Sequence, residues 1–270
     1  MEKQYKRVLS IAGSDPSGGA GIQADLKTFS ACGCYGATAI VAVVDENTVG
    51  VTGVHPIPVP FVAGQIKSVL DDIGADAIKI GMLHSSELIR TVKDTLSYYN
   101  INNIVLDPVM VATSGDKLLQ DEAIQTLKDE LIPFVRVITP NIPEAEILLG
   151  EKIQTQEDLP LVIKDLSFDR SVSVLLKAGH LTNDELVDVF YNAETDEIIH
   201  LSSKRIKTQN THGTGCTLSS AIAAYLAHGI SLNDAIIKAK EYTNKAILAG
   251  AEYKIGKGHG PVHHFFNFWQ

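Results

Sequence analysis

The sequence predicts an α/β protein built on a mostly parallel sheet with helices on both faces. Three observations carry this. Short apolar runs of strand length alternate with stretches of helical periodicity. Each of those runs is closed by glycine, proline or a polar residue that ends it. The chain of 270 residues is long enough for one large core, and it shows no linker, internal repeat or low-complexity tract, so one domain over 1–270 is expected.

In order, Val8–Ala12 reads as a buried strand and Gly13–Gly21 as a glycine-rich loop that opens a helix over Ile22–Ala31. Ala39–Val44 reads as a second buried strand, Phe61–Leu70 as a helix and Ala77–Ile80 as a strand. Ser85–Leu96 reads as a helix, and Ile104–Leu106 as a strand ended by Asp107-Pro108. A helix is expected over Ala123–Leu131, a strand at Val137-Ile138, a helix over Glu144–Leu149 and a strand over Val172–Leu176. Leu186–Phe190 and Ile198–Ile206 flank a turn-like Asn192–Asp196 and suggest an edge hairpin. Helices over Cys216–His228 and Leu232–Leu248 complete the pattern.

Such sheets are covered on both faces and bind ligands outside the carboxyl ends of their strands. Polar residues just after strands therefore matter most. By that criterion Asp15, Lys79, Asp107, Asn141, Glu144 and Lys177 are candidates.

Charge narrows the partners. With 23 Lys and Arg against 32 Asp and Glu, the formal charge is -9, and such a surface repels a nucleic acid backbone. No run approaches the roughly 20 apolar residues needed to span a bilayer, and no signal-peptide core is present. A cytoplasmic protein is expected. The three cysteines are too few for a disulfide framework, and Cys32-Gly33-Cys34 reads as the turn after a helix.

Gly213-Thr214-Gly215-Cys216 opens a helix rich in small residues. Backbone amides at such a helix start form a ready anion site, and a thiol there is expected to shift toward thiolate. The plainer alternative is a cap on a buried helix with Cys216 as a core residue. No Walker A loop is present, and Gly13–Gly21 lacks the spacing of a dinucleotide fingerprint. Asp107, Asn141 and Glu144 offer hard oxygens suited to Mg²⁺ with a nucleotide, although each also fits an ordinary helix start. Lys177 suits a phosphate contact or a solvated site. The histidines in 256–264 suit packing or a nucleotide-proximal loop better than a metal.

Taken together, 12–25, 79–82, 106–110, 139–145, 177–180, 211–216 and 256–265 resemble the hydroxymethylpyrimidine and phosphomethylpyrimidine kinases of the ribokinase-like superfamily. The resemblance spans nearly the whole chain. It implies a three-layer α/β/α kinase that uses ATP and Mg²⁺ and is commonly a homodimer. Residue by residue, it implies an anion hole from Gly213, Thr214, Gly215 and Cys216, with Cys216 as the catalytic base. Asp107 and Glu144 fall at metal positions. Asn141, Lys177, Thr211, His212 and Lys257 fall on the nucleotide side. Gly13, Asp25, Glu46, Met82 and Val109 fall at a pyrimidine pocket, Glu46 standing where many relatives carry Gln. Pyridoxal or pyridoxine kinase is the alternative, because those acceptors share a flat ring bearing a hydroxymethyl.

Overall fold

The computed structural model describes residues 3–110, 119 and 121–269. Its elements are β1 (Arg7–Ala12), α1 (Gly21–Ala31), β2 (Tyr35–Ile40), β3 (Ala42–Asn47), β4 (Gly50–Pro56), α2 (Val59–Asp72), β5 (Ala77–Ile80), α3 (Ser86–Leu96) and β6 (Ile104–Leu106). They continue with α4 (Asp121–Thr126), β7 (Val137–Ile138), α5 (Ile142–Leu149), α6 (Leu159–Val162), β8 (Ser173–Leu176), β9 (Glu185–Asn192), β10 (Glu197–Lys204), α7 (Thr214–Ala227) and α8 (Leu232–Gly250).

Eight strands form one sheet in the order β10-β9-β8-β7-β6-β5-β1-β2. The run from β8 to β2 is parallel, and β9 and β10 join it antiparallel at one edge. Alternation along each strand sorts side chains between two cores. Leu9, Ile11, Ile78, Ile80 and Leu106 face the core shared with α2 to α6. Val8, Ala77 and Val105 face the core shared with α1, α7 and α8. Three layers result, as the sequence predicts. The same alternation puts the polar Ser10 and Lys79 on the α1/α7 face.

Two departures from the expected elements have local causes. The apolar run Ala39–Val44 is not one strand: β2 ends at Ile40, and β3 leaves the sheet to pair with β4 in a separate hairpin. Val41 is the pivot, its amide donating to Ala12 O and its carbonyl accepting from Ile57 N. The expected helix over Ala123–Leu131 widens into a π turn at Leu127–Leu131 before Ile132–Phe134 tightens to 3₁₀. Pro133 supplies no amide and crowds the carbonyl four residues back, which a widened turn relieves.

Cys32 closes α1, and Gly33 beyond it has a φ of +79°, so Cys32-Gly33-Cys34 is a turn after a helix. Burial pushes the two thiols up to about 12 and about 11, which leaves them protonated and unreactive. Among the described residues no helix is long and apolar enough to cross a membrane.

Candidate active site

Chain direction brings the candidates together, because β1, β5, β6, β7 and β8 all end on one edge and release Gly13, Gly81, Asp107, Asn141 and Lys177 there. α7 starts above that edge. Gly213 caps it at a φ of +75°, the left-handed region that favours glycine. A Cβ there would lie 1.8 Å from Gly19 O, so the Gly13–Gly21 loop packs directly on the helix start. The amides of Gly215 and Cys216 find no acceptor among the described residues, whereas that of Thr214 turns back to Thr211 O at 3.3 Å. Two free amides on the helix axis make an anion site. The Thr214 amide is thus engaged within the turn, unlike its two neighbours.

Facing that helix start, Lys177 Nζ lies 3.1 Å from Asp107 Oδ1, and Thr139 Oγ1 donates to the same oxygen at 3.0 Å. A Cβ on Gly215 would stand 3.3 Å from Asp107 Oδ2 and 3.4 Å from Lys177 Nζ. The free amides, the carboxylate and the ammonium thus surround one space. Burial works against the Lys177 charge, but Asp107 and Glu144 hold its ammonium above the ordinary range.

Asp107 Oδ2 has no donor among the described residues and is a hard oxygen, so Asp107 fits a divalent cation. Glu144 is different. Its carboxylate accepts from Asn141 N at 2.8 Å while Asn141 Oδ1 accepts from Glu144 N at 2.9 Å, a reciprocal cap on α5. Burial, reinforced by Asp107 and opposed by Lys177, pushes this carboxyl up to about 7. One oxygen of Glu144 is thus engaged by the cap on α5. Asn141 is likewise held as a helix cap, with its backbone bridged to Lys177.

Cys216 sits in the first turn of α7, but its thiol is not shifted toward thiolate. Burial pushes it up to about 11; Lys79 and a hydrogen bond from the Gly21 amide pull it down, while Asp25 and Asp107 push it further up. The expected thiolate at neutral pH is therefore overturned chiefly by burial, with the Asp25 and Asp107 carboxylates adding to it.

On the acceptor side, a Cβ on Gly13 would touch Met82 Cε at 3.7 Å and Val44 Cγ2 at 3.8 Å, which sets Gly13, Val44 and Met82 around one hollow. Val109 is half-buried nearby in sequence, its amide bonded to Asp107 O. Glu46 lies at a bulge in β3 and is half-buried. Asp25 does not line this hollow. It is fully buried, 2.9 Å from Lys79 Nζ, and its expected place in the pyrimidine pocket is corrected.

His212 lies beside two carboxylates. Its Nε2 lies 2.8 Å from Asp15 Oδ2 and 4.0 Å from Glu46 Oε1. Among the described residues these three form the one cluster with metal-ligand spacing. Asp15 is already occupied, however: Oδ1 accepts from Ser17 N, and Oδ2 from Gly19 N and Ala20 N as well as His212. The cluster fits an ion pair better than a metal. The Asp15 hydrogen bond, against burial, raises His212 above its ordinary value. That stabilisation is complete below the unfolded imidazole pKa of about 6.5 and fades as pH rises through the raised folded value. The gap in Tm between the wild type and His212→Gln should accordingly be wider near pH 6 than near pH 9. An equal gap at both would show that the ring bonds Asp15 as a neutral tautomer.

Thr211 is exposed, and Lys257 lies on an exposed loop beside a groove of about 620 Å³ lined also by Lys207, Asn210 and Lys254. That loop clasps the β3–β4 tip, an arrangement the sequence did not suggest. Thr48 Oγ1 accepts from the amides of Lys257 and Gly258, and Thr48 O accepts from His259 N at 2.8 Å. A Cβ on Gly258 would meet Thr48 O at 1.9 Å, so only glycine permits this approach.

Residues 15–263 match the model of a family described as phosphomethylpyrimidine kinase. The chain belongs to that family. Among relatives of this kinase family, the hydroxymethylpyrimidine/phosphomethylpyrimidine kinase of Rhizobium meliloti is 46% identical over 263 residues, 97% of this chain and 98% of the relative. The phosphomethylpyrimidine kinase structure from Clostridium difficile has a TM-score of 0.77 at 42% identity, covering 89% of this chain and 99% of that one. The Staphylococcus aureus pyridoxal kinase in complex with ADP has a TM-score of 0.89 at 36% identity, covering 98% of this chain and 96% of that one. The fold of this phosphomethylpyrimidine kinase family member is thus ribokinase-like, as the sequence implied.

Proposed function

We propose that the chain transfers the γ-phosphoryl group of ATP to the 5-hydroxymethyl of 4-amino-5-hydroxymethyl-2-methylpyrimidine, and in a second turnover to the resulting monophosphate. The observation that carries this is the space bounded by the free amides of Gly215 and Cys216, by Asp107 and by Lys177. It has positive groups on two sides for a transferring phosphoryl. Phosphoryl transfer depends mainly on positioning and on stabilising charge over the equatorial oxygens.

In this scheme the two amides and Lys177 receive the γ-phosphoryl oxygens. Asp107 holds Mg²⁺, which supplies charge neutralisation at the phosphates when bound. Cys216 takes the acceptor proton once its thiol has ionised. Glu46 accepts a hydrogen bond from the exocyclic amine of the pyrimidine. Burial and Asp15 raise Glu46 while His212 lowers it, so the imidazolium helps keep this acceptor ionised. The nucleotide lies toward Lys257 and its groove. A cytoplasmic homodimer completes the reading.

Phosphorylation of pyridoxal is the second reading, favoured by the likeness to the pyridoxal kinase structure. A coupled ADP-release assay across the hydroxymethylpyrimidine, its monophosphate, pyridoxal and pyridoxine separates the two. Turnover with both pyrimidines is expected. Turnover with the B6 forms alone would replace the first reading by the second.

A further inference from the structure

The buried pair Lys79–Asp25 has no part in the transfer scheme, yet it sits directly behind the site. Both side chains are fully buried, and Nζ lies 2.9 Å from each carboxylate oxygen. Ser10 Oγ donates to Asp25 Oδ2 and Ser220 Oγ to Asp25 Oδ1, each at 2.6 Å. Every oxygen of Asp25 therefore has two donors. Burial opposes the charge on Lys79, but Asp25, and more remotely Cys216 and Asp107, keep its ammonium above the ordinary value.

Such a pair is poor evidence for stability, because desolvating two charges offsets most of their attraction. Its connections are more informative. Asp25 lies on α1, Ser10 on β1, Lys79 on β5 and Ser220 on α7. β1 and α1 are the two ends of the Gly13–Gly21 loop, and β5 leads into Gly81 and Met82. Ser220 stands four residues beyond Cys216, on the same face of α7 and one turn deeper. The Gly21 amide at the start of α1 in turn helps lower the Cys216 thiol, and a Cβ on Gly213 would meet Gly19 O at 1.8 Å, so the loop before α1 packs on the start of α7. A Cβ on Gly81 would lie 3.1 Å from Lys79 Nζ, so the pair also abuts the strand end below the hollow.

We propose that Lys79 and Asp25 are positioning residues for phosphoryl transfer: through Ser10 and Ser220 they lock the second turns of α1 and α7 against β1 and β5, and with them the first turns that face the site. This fixes the Gly215 and Cys216 amides and the Cys216 thiol relative to the acceptor hollow. The pair is neutral overall, so its effect is geometric and leaves the field at the phosphate site nearly unchanged. The inference rests on the kinase reading above.

Two variants test it. Ser220→Ala removes the tie to α7 and keeps the ion pair. Lys79→Gln combined with Asp25→Asn removes both charges together and strands neither in the core. Each is assayed for ADP release with the pyrimidine and ATP, well below its own Tm. Positioning felt only in the transition state predicts kcat lower by about tenfold or more, with both KM values within about twofold of wild type. A purely structural role would lower Tm and leave kcat per folded molecule unchanged. A kcat for Ser220→Ala within about twofold of wild type overturns the proposal, whether or not the double variant folds. An inactive wild type would instead refute the kinase reading itself, and with it this inference.

Discussion

Replacing Cys216 by alanine is expected to lower kcat by about 10²- to 10⁴-fold, the usual contribution of a positioned general base, while the KM for ATP changes little. In the proposed scheme the nucleotide would be held by backbone amides, Asp107 and Lys177, none of which the substitution removes. The pH profile carries a second signature. The free thiol stands at about 11, so the base is almost wholly protonated at neutral pH. The thiolate fraction then grows about tenfold for each pH unit gained below that value. The kcat of the wild type should climb through pH 7 to 9, and that of the alanine variant should stay flat. A variant with near-wild-type kcat, or with the same pH limb, would remove Cys216 from the proton transfer. The amides of the helix start would then carry the catalysis alone.

Gly213→Ala has a different origin and a comparably large expected effect. The left-handed conformation costs a residue bearing a Cβ about 1–2 kcal/mol. The new methyl would also stand 1.8 Å from the carbonyl oxygen of Gly19, where real Cβ atoms keep at least 3.0 Å. Either the Gly13–Gly21 loop or the start of α7 must retreat by about 1 Å or more, and a displacement of that size costs about 10²-fold in rate. We expect kcat/KM to fall by about that factor or more, with a lower Tm. Unchanged kinetics would mean that the anion loop tolerates a shift that the packing of Gly19 against Gly213 argues against.

Much of this architecture was legible in the sequence because it rests on period and punctuation. Ile104–Leu106 is buried on both faces and reads as an unbroken apolar run, Ala77–Ile80 is as buried and is broken only by Lys79, and both end at the residues that line the site. Asp107, Lys177 and Gly215 could therefore be named before their meeting was seen. Glycine spacing likewise marked the start of α7. The fork after Ile40 left no such mark, because Ala39–Val44 is uniformly apolar and the chain turns there through backbone bonds to Ala12 and Ile57. Asp25 was misplaced for a related reason. Its partner Lys79 is 54 residues away, and only the sheet register sets that lysine beside Ser10. Ser220 was visible merely as one small residue in a helix of small residues. A helix start favours thiolate at Cys216, whereas burial in the folded site opposes it first, and the carboxylates of Asp25 and Asp107, from α1 and the end of β6, add to that. Side-chain capping hid a second point. Glu144 looks like a ligand in sequence, but its nearest demand is the amide of Asn141.

The clasp between Thr48 and the 257–259 amides makes the two mouths of the protein one mechanical unit. Swinging the β3–β4 hairpin outward, to widen the approach to Glu46, breaks three hydrogen bonds unless the loop bearing Lys257 travels with it. The same loop is tied through His259 to Gln209 and through Gly260 to His212, just ahead of Gly213. Ordering one mouth therefore reduces the conformational freedom left to the other. Under the proposed function, a substrate that ordered one mouth would bear part of the entropy of fixing the frame for the second, and by linkage the effect would be mutual.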